Sequence, residues 1–356
     1  ALSSRLGITP RELYERHLAE LRQTLLRQDA SVIGLRSSDE ADLARRARVS
    51  ASSVQTALEL AQPGAACRLL HDVAVLFPAD PGISGFDLLL DAEQAAEVTV
   101  ELWDTGRGEN YVPHTLQARA AALAEAGQRQ WVAFDLQWQP ENPQNAFVII
   151  KANPAVSLYH SLEPHSGVLA FFKDEQPHVS KDLEDHSTDQ LVVLWKMKGQ
   201  ARRPFCFRLG SPTAAFAPAK ALNGYHRPYG GPQQWMSEPM KDGRAEWLQL
   251  DWDSEQTFGE ILLTFNDDVN EDLVNLHHHR TAFAIIPELV RNYRVEALGA
   301  GGVWTEIAAG TGNRKRKAVH LLPEPVQARS LRVIIESTNG SRHAELIEIR
   351  AYGGTQ

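Results

Sequence analysis

The stretch Glu246–Trp252, EWLQLDW, decides how the chain is read. Successive side chains on an extended strand point to opposite faces. Trp247, Gln249 and Asp251 therefore share one face, and Leu248, Leu250 and Trp252 the other. The second set suits a core and the first suits solvent or an edge, which is the pattern of a two-layer sandwich. Working outward, similar segments follow at Glu260–Phe265, Tyr293–Leu298, Ser330–Glu336 and Leu346–Tyr352, with the glycine-rich hairpin Gly299-Ala300-Gly301-Gly302 between two of them. Upstream lie Ala95–Trp103, Gln130–Trp138, Ala146–Lys151 and the shorter Leu169–Phe172. Turn-forming clusters separate them at Pro78–Gly82, Gly106–Gly108 and Pro140–Pro143. Strands so spaced, with no helices long enough for parallel crossovers, predict antiparallel sandwiches. The Ala-rich Leu116–Ala126 is read as strand and loop.

The first residues follow a different pattern. Thr9-Pro10-Arg11-Glu12 has the form of a capping box with proline in the first helical turn, and Tyr14, Leu18, Leu21 and Leu25 recur at helical spacing. Ser37-Ser38-Asp39-Glu40 opens a second, shorter helical segment through about Arg46. Residues 163–190 read as a linker, with Pro164, Gly167, Pro177 and a dense polar run. The chain is therefore expected to be mainly β: a helical segment over 1–48, a first antiparallel sandwich over 49–175 and a second over 190–356.

Composition narrows the function. The 356 residues are 43% hydrophobic and 23% charged, enough apolar material for full cores. A formal net charge of −9 argues against a general nucleic-acid binder, which needs a Lys/Arg excess. No run of about 18 apolar residues predicts a membrane span. No charged and apolar leader precedes the first capped helix, so no signal peptide is expected. Two cysteines, Cys67 and Cys206, exclude a cysteine-rich zinc site, and their apolar neighbours predict buried, inert thiols. No G-x-S-x-G, H-E-x-x-H or P-loop motif occurs.

The second β unit resembles the discoidin, or coagulation factor 5/8 C-type, domain of the galactose-binding-like, jelly-roll fold. The ordered features are Ala219–Gly224, Trp235, Glu246–Asp251, Tyr293-Arg294-Val295, Trp304–Ile307, Arg332-Val333-Ile334 and Leu346–Gly353. Asn223–Pro228, Leu276–Arg280 and Ile286–Tyr293 further resemble the C-terminal sandwich of a group of bacterial FAD-dependent oxidoreductases, and Leu6-Gly7-Ile8 the end of their flavin domain. That resemblance implies an accessory region that binds or orients a substrate beside a flavin domain missing from this chain. No G-x-G-x-x-G fingerprint is present, so this chain alone is not expected to bind FAD. The alternative is a stand-alone carbohydrate-binding or adhesion module.

Several residue groups could carry chemistry. Tyr225, His226 and Arg227, with Tyr229 and Trp235, form an aromatic and basic loop of the kind that stacks on sugar C–H faces and donates to hydroxyls, or simply packs at a sandwich mouth. His277 and His279 share a face if extended and, with His226, could hold Zn²⁺ or Cu²⁺; with Arg280 they could instead contact a ligand or serve structure. The discoidin resemblance implies a Ca²⁺ site at Asn223 and Glu348, against which stand a simple turn and a surface glutamate. The acidic run Asp267–Asp272 and the basic run Asn313–Lys317 are read as solvated loops.

Overall fold

A computed structural model describes residues 16, 42–106, 108, 112–173, 195–196, 204–241, 243–267, 269–270 and 284–353. In chain order the strands are β1 (Arg48–Ala51), β2 (Pro63–Arg68), β3 (Val73–Ala79), β4 (Ile83–Ala92), β5 (Ala96–Asp104), β6 (Leu116–Ala124), β7 (Gly127–Trp138), β8 (Gln144–Ile150), β9 (Val156–Ser161), β10 (Leu169–Lys173) and β11 (Trp195–Lys196). They continue with β12 (Phe207–Leu209), β13 (Trp235–Met236), β14 (Glu246–Thr264), β15 (Val290–Leu298), β16 (Trp304–Gly310), β17 (Lys317–Thr338), β18 (Glu345–Leu346) and β19 (Glu348–Tyr352). Two short 3₁₀ turns, Leu43–Arg46 and Pro218–Leu222, complete the described elements. The chain is thus mainly β, with several antiparallel sheets. Leu116–Ala124 is a strand, as read from the sequence.

The first sandwich stacks a sheet ordered β11-β10-β3-β8-β5-β6 on one ordered β12-β4-β9-β2, with β7 also paired to β4. Val75, Phe77, Val98, Val100, Val148 and Ile150 from one layer pack against Phe86, Leu88, Leu90, Phe134 and Leu136 from the other. Strands β3 and β8 are central and buried on both faces: Ala74, Leu76, Phe147 and Ile149 form a second apolar layer with Leu169 and Phe171. This explains why AFVIIK reads as a continuous apolar run, since alternation survives only where one face is wet.

The second sandwich is organised by two long strands, β14 and β17, which pair along most of their length with register shifts at Asp251/Gln256 and Phe258/Glu260. Such irregularities bend a strand and increase its twist, so one strand runs through what the sequence suggested were two. Its first half carries β1 and its second half β19. Leu248, Leu250 and Trp252 are buried, while Trp247, Gln249 and Asp251 lie half-buried on the other face, as alternation requires. On that outer face the Arg332 guanidinium sits 4.0 Å from the Trp304 ring centre and 5.3 Å from that of Trp247, a cation–π arrangement.

The observed pairings run across the expected boundaries. Strand β1 lies beyond the boundary set at residue 48, yet it pairs with β14 of the second sandwich, Arg48 opposite Asp251 and Ala51 opposite Leu248. Phe205 and Phe207, within the span expected for the second sandwich, lie in the first core, where β12 pairs with β4. The segment read as the end of a helical piece is a single 3₁₀ turn in its described part: Asp42 Oδ1 accepts from the amides of Ala44 and Ala351, and Trp252 donates its indole N–H to Leu43 O at 2.8 Å. It closes one side of the second sandwich. The capping boxes at Thr9 and Ser37 lie outside the described residues. Within the expected linker, Leu169–Lys173 is a core strand and residues 165–167 contact the second sandwich.

Candidate functional site

The loop between the 3₁₀ turn Pro218–Leu222 and β13 carries most of the residues singled out above. Proline in the first turn starts the helical piece, and Asn223 ends it. Asn223 Oδ1 then accepts from the Tyr225 amide at 3.0 Å, while its Nδ2 donates to Gln233 Oε1 at 2.5 Å. Gln233 in turn donates to the Tyr229 carbonyl, so the loop is tied across its own base. Glycine at 224, with φ of +83°, supplies the left-handed conformation that the turn requires.

The first sandwich clamps this loop. The Gly230 amide donates to Gly108 O at 2.7 Å, and a Cβ at Gly230 would lie only 2.2 Å from Pro143 O. Lys220 Nζ pairs with Asp80 at 2.8 Å, with both side chains mostly buried. Between the bodies lies a groove of about 720 Å³, within the usual range for small-molecule sites. Tyr225 and Tyr229 stand in its wall with ring centres 5.3 Å apart and planes within 10°. They are 43% and 45% exposed. Gly108 lies against Tyr229, where a Cβ would fall 2.8 Å from the ring. Tyr229 thus touches both Gly108 and Tyr225, and both rings line the groove. Lys220, Asn223, Gln233, Asn142 and Gln144 add polar groups.

The other expected site residues are placed differently. Trp235 is fully buried in the second core and donates its indole N–H to Ser53 O at 3.0 Å. It presents no exposed surface to the groove, unlike Tyr225 and Tyr229. Arg227 is exposed. His226 sits in an ion-paired cluster: Nδ1 lies 3.1 Å from Glu348 Oε2, Arg350 donates to Nε2 at 2.8 Å, and Arg350 also pairs with Glu348 Oε1 at 2.8 Å. Burial depresses the His226 pKa, the neighbouring guanidiniums of Arg350 and Arg316 and the Lys317 ammonium add to this, and Glu348 opposes it. A neutral ring that donates from Nδ1 and accepts at Nε2 satisfies both contacts.

Both oxygens of Glu348 are therefore engaged, Oε2 by the His226 ring and Oε1 by the Arg350 guanidinium, and Asn223 is engaged within its own loop. His277, His279 and Arg280 lie outside the described residues. Among the described residues no group of three His, Cys, Asp or Glu side chains is placed to hold a metal. Cys206 is buried and its thiol is pushed up to about 12, as expected of an inert thiol, whereas Cys67 on β2 is only half-buried.

Sequence reasoning missed the half of the groove that the first sandwich supplies. Gly108, Pro143 and Asp80 lie more than 70 residues from the tyrosines, and nothing local marks them as neighbours. The turn clusters at Gly106–Gly108 and Pro140–Pro143 were visible, but only as turns.

No family model matches the chain, and no curated protein does. Solved structures do. The family 32 carbohydrate-binding module from Streptococcus pneumoniae EndoD is 15% identical, with a TM-score of 0.31, covering 39% of this chain and 86% of that one. Chitosan-binding module 1 of the chitosanase/glucanase from Paenibacillus sp. IK-5 is 16% identical, with a TM-score of 0.29, over 39% and 87%. The family 32 module from C. perfringens NanJ, solved with galactose, is 15% identical, with a TM-score of 0.28, over 39% and 86%. At this level of similarity the architecture rests on the strand pairings above rather than on the neighbours. The comparisons give no support to a flavin-dependent parent protein.

Proposed function

We propose that this chain is a carbohydrate-binding module and that it takes a saccharide in the groove between its two sandwiches. The observation that carries the reading is the Tyr225–Tyr229 pair: two near-parallel rings, each almost half exposed, set in the wall of a groove with amide and ammonium groups around it. An exposed aromatic face in a recess is costly unless something covers it. Sugar rings offer C–H faces that pack on such a surface and hydroxyls that pair with amides and lysine. The loop is already fixed by Asn223, Gln233 and the contacts to Gly108 and Pro143, so little order is lost when a ligand arrives.

The test is a glycan array followed by calorimetry on the whole chain. We expect binding of a saccharide that Tyr225→Ala weakens on the order of tenfold, about 1.4 kcal/mol, with thermal stability unchanged. A saccharide bound equally well by the variant, or no binding across a broad array, would remove the reading.

A further inference from the structure

A second cavity, of about 250 Å³, opens where the two sandwiches meet, between residues 162–166 of the first and Pro287, Glu288 and residues 340–345 of the second. Its chemistry differs from that of the groove. Glu345 is 1% exposed. Its Oε2 accepts three hydrogen bonds, from Gln234 Nε2 at 2.6 Å, Asn266 Nδ2 at 2.6 Å and Ser166 Oγ at 2.8 Å. Burial, with Glu288 nearby, pushes its carboxyl up to about 8, so the group is mainly protonated at neutral pH.

His165 is 8% exposed. Its Nδ1 lies 2.8 Å from the Ser166 carbonyl, which can only accept, so Nδ1 carries the hydrogen and Nε2 keeps a lone pair. Among the described residues that Nε2 meets no partner. Burial, then the charge of His343, holds its pKa down to about 4 and keeps the ring neutral. His343, whose ring centre is 5.9 Å from that of His165, is arranged in the same way, with Nδ1 2.8 Å from Ser237 O. At the rim Arg342 pairs with Glu163 at 2.6 Å, which takes up the cavity's own guanidinium. The cavity is therefore lined by three carboxyl groups, those of Glu163, Glu288 and Glu345, against the single guanidinium of Arg342.

A buried acceptor left unmatched costs about 1–3 kcal/mol, so a donor that reaches it gains that back. Among the described residues no three ligand side chains converge as a metal requires. An ammonium group supplies what is lacking: up to three donors, no acceptor, and a positive charge among carboxyls.

We propose that this cavity binds the ammonium group of a small primary amine, with His165 Nε2 and the carboxyl of Glu345 as its acceptors. As the cation enters, Glu345 gives up its proton to solvent, so one proton leaves for each amine bound. The proposal does not depend on saccharide binding in the groove.

The experiment titrates ethanolamine, and its uncharged counterpart ethylene glycol, into the whole chain at pH 7 in two buffers of different ionisation enthalpy. Saturable binding of ethanolamine alone, with release of about one proton, is expected. Glu345→Gln should abolish the proton release and weaken binding at least tenfold. His343→Ala, which removes the ring beside His165, should also weaken it, and Tyr225→Ala should leave it intact. Equal responses to the two compounds, binding without proton release, or both cavity variants binding like the native chain would each overturn the proposal.

Discussion

The groove and the polar cavity lie along the same junction and are supplied by neighbouring residues. Gln233 ties the groove loop to Asn223 and Tyr229, while the next residue, Gln234, donates to Glu345. In the groove the buried charge is matched, Lys220 against Asp80. In the cavity the carboxyl of Glu345 is met by neutral donors and a second glutamate, so it holds a proton instead. A carboxyl neutralised by burial ties its surroundings to proton activity. One junction thus contains a recess whose buried charge is paired and another whose buried carboxyl responds to pH.

The largest effect that bears on this contrast is expected at Trp235, which follows the two glutamines and anchors them. Trp235→Ala should lower stability by about 3–5 kcal/mol, measured by chemical denaturation, because a fully buried tryptophan is removed. Unchanged stability with lost saccharide affinity would instead return Trp235 to the ligand.

The contrast sharpens with pH. The Glu345 carboxyl titrates near 4.5 when unfolded and near 8 when folded, so between these values the folded state holds the extra proton and stability falls as pH rises. His165 acts in the opposite sense: its folded value of about 4 lies below the ordinary 6.5, so stability falls as pH drops through that range. His343, also held low by burial, adds to the second effect. Between 4.5 and 6.5 these slopes oppose each other, and above 6.5 the Glu345 slope remains. Stability should therefore drop by roughly 2 kcal/mol between pH 6.5 and 8, and Glu345→Gln should flatten that slope. A slope that survives the substitution would place the titrating group elsewhere.

The smallest effect is expected at the rim. Arg342 and Glu163 are both substantially exposed, and such pairs contribute less than about 1 kcal/mol. Arg342→Ala should barely move the melting temperature. A larger loss would mean that the rim pair, and not the buried network, holds the cavity closed.

The strands were legible wherever one face is wet, as in EWLQLDW, because alternation there records the burial of one side. Their partners were not. The edge strand β1, with the sequence RVSA, carries almost no apolar signal, so its place beside β14 is set by backbone pairing that local pattern does not encode. Phe205 and Phe207 announce burial but not which core takes them. The candidate site was half legible: Tyr225 and Tyr229 stood out as aromatic residues in a polar loop, whereas Trp235 looked the same in sequence and proved to be core. His165, Gln234 and Glu345 gave no warning, since a buried polar residue is defined by neighbours far away in the chain.

The route of the chain has one more consequence. It starts the second sandwich with β1, leaves to build the first, and returns after β12. Among the described residues two crossings therefore join the bodies, and they are bonded to each other, Thr213 N to Thr56 O at 2.8 Å and Leu209 N to Leu58 O at 3.0 Å. A double tether resists the swivelling that a lone connector permits. The walls on either side should turn together under load, and a polymer pulling on one body would be felt directly by the other.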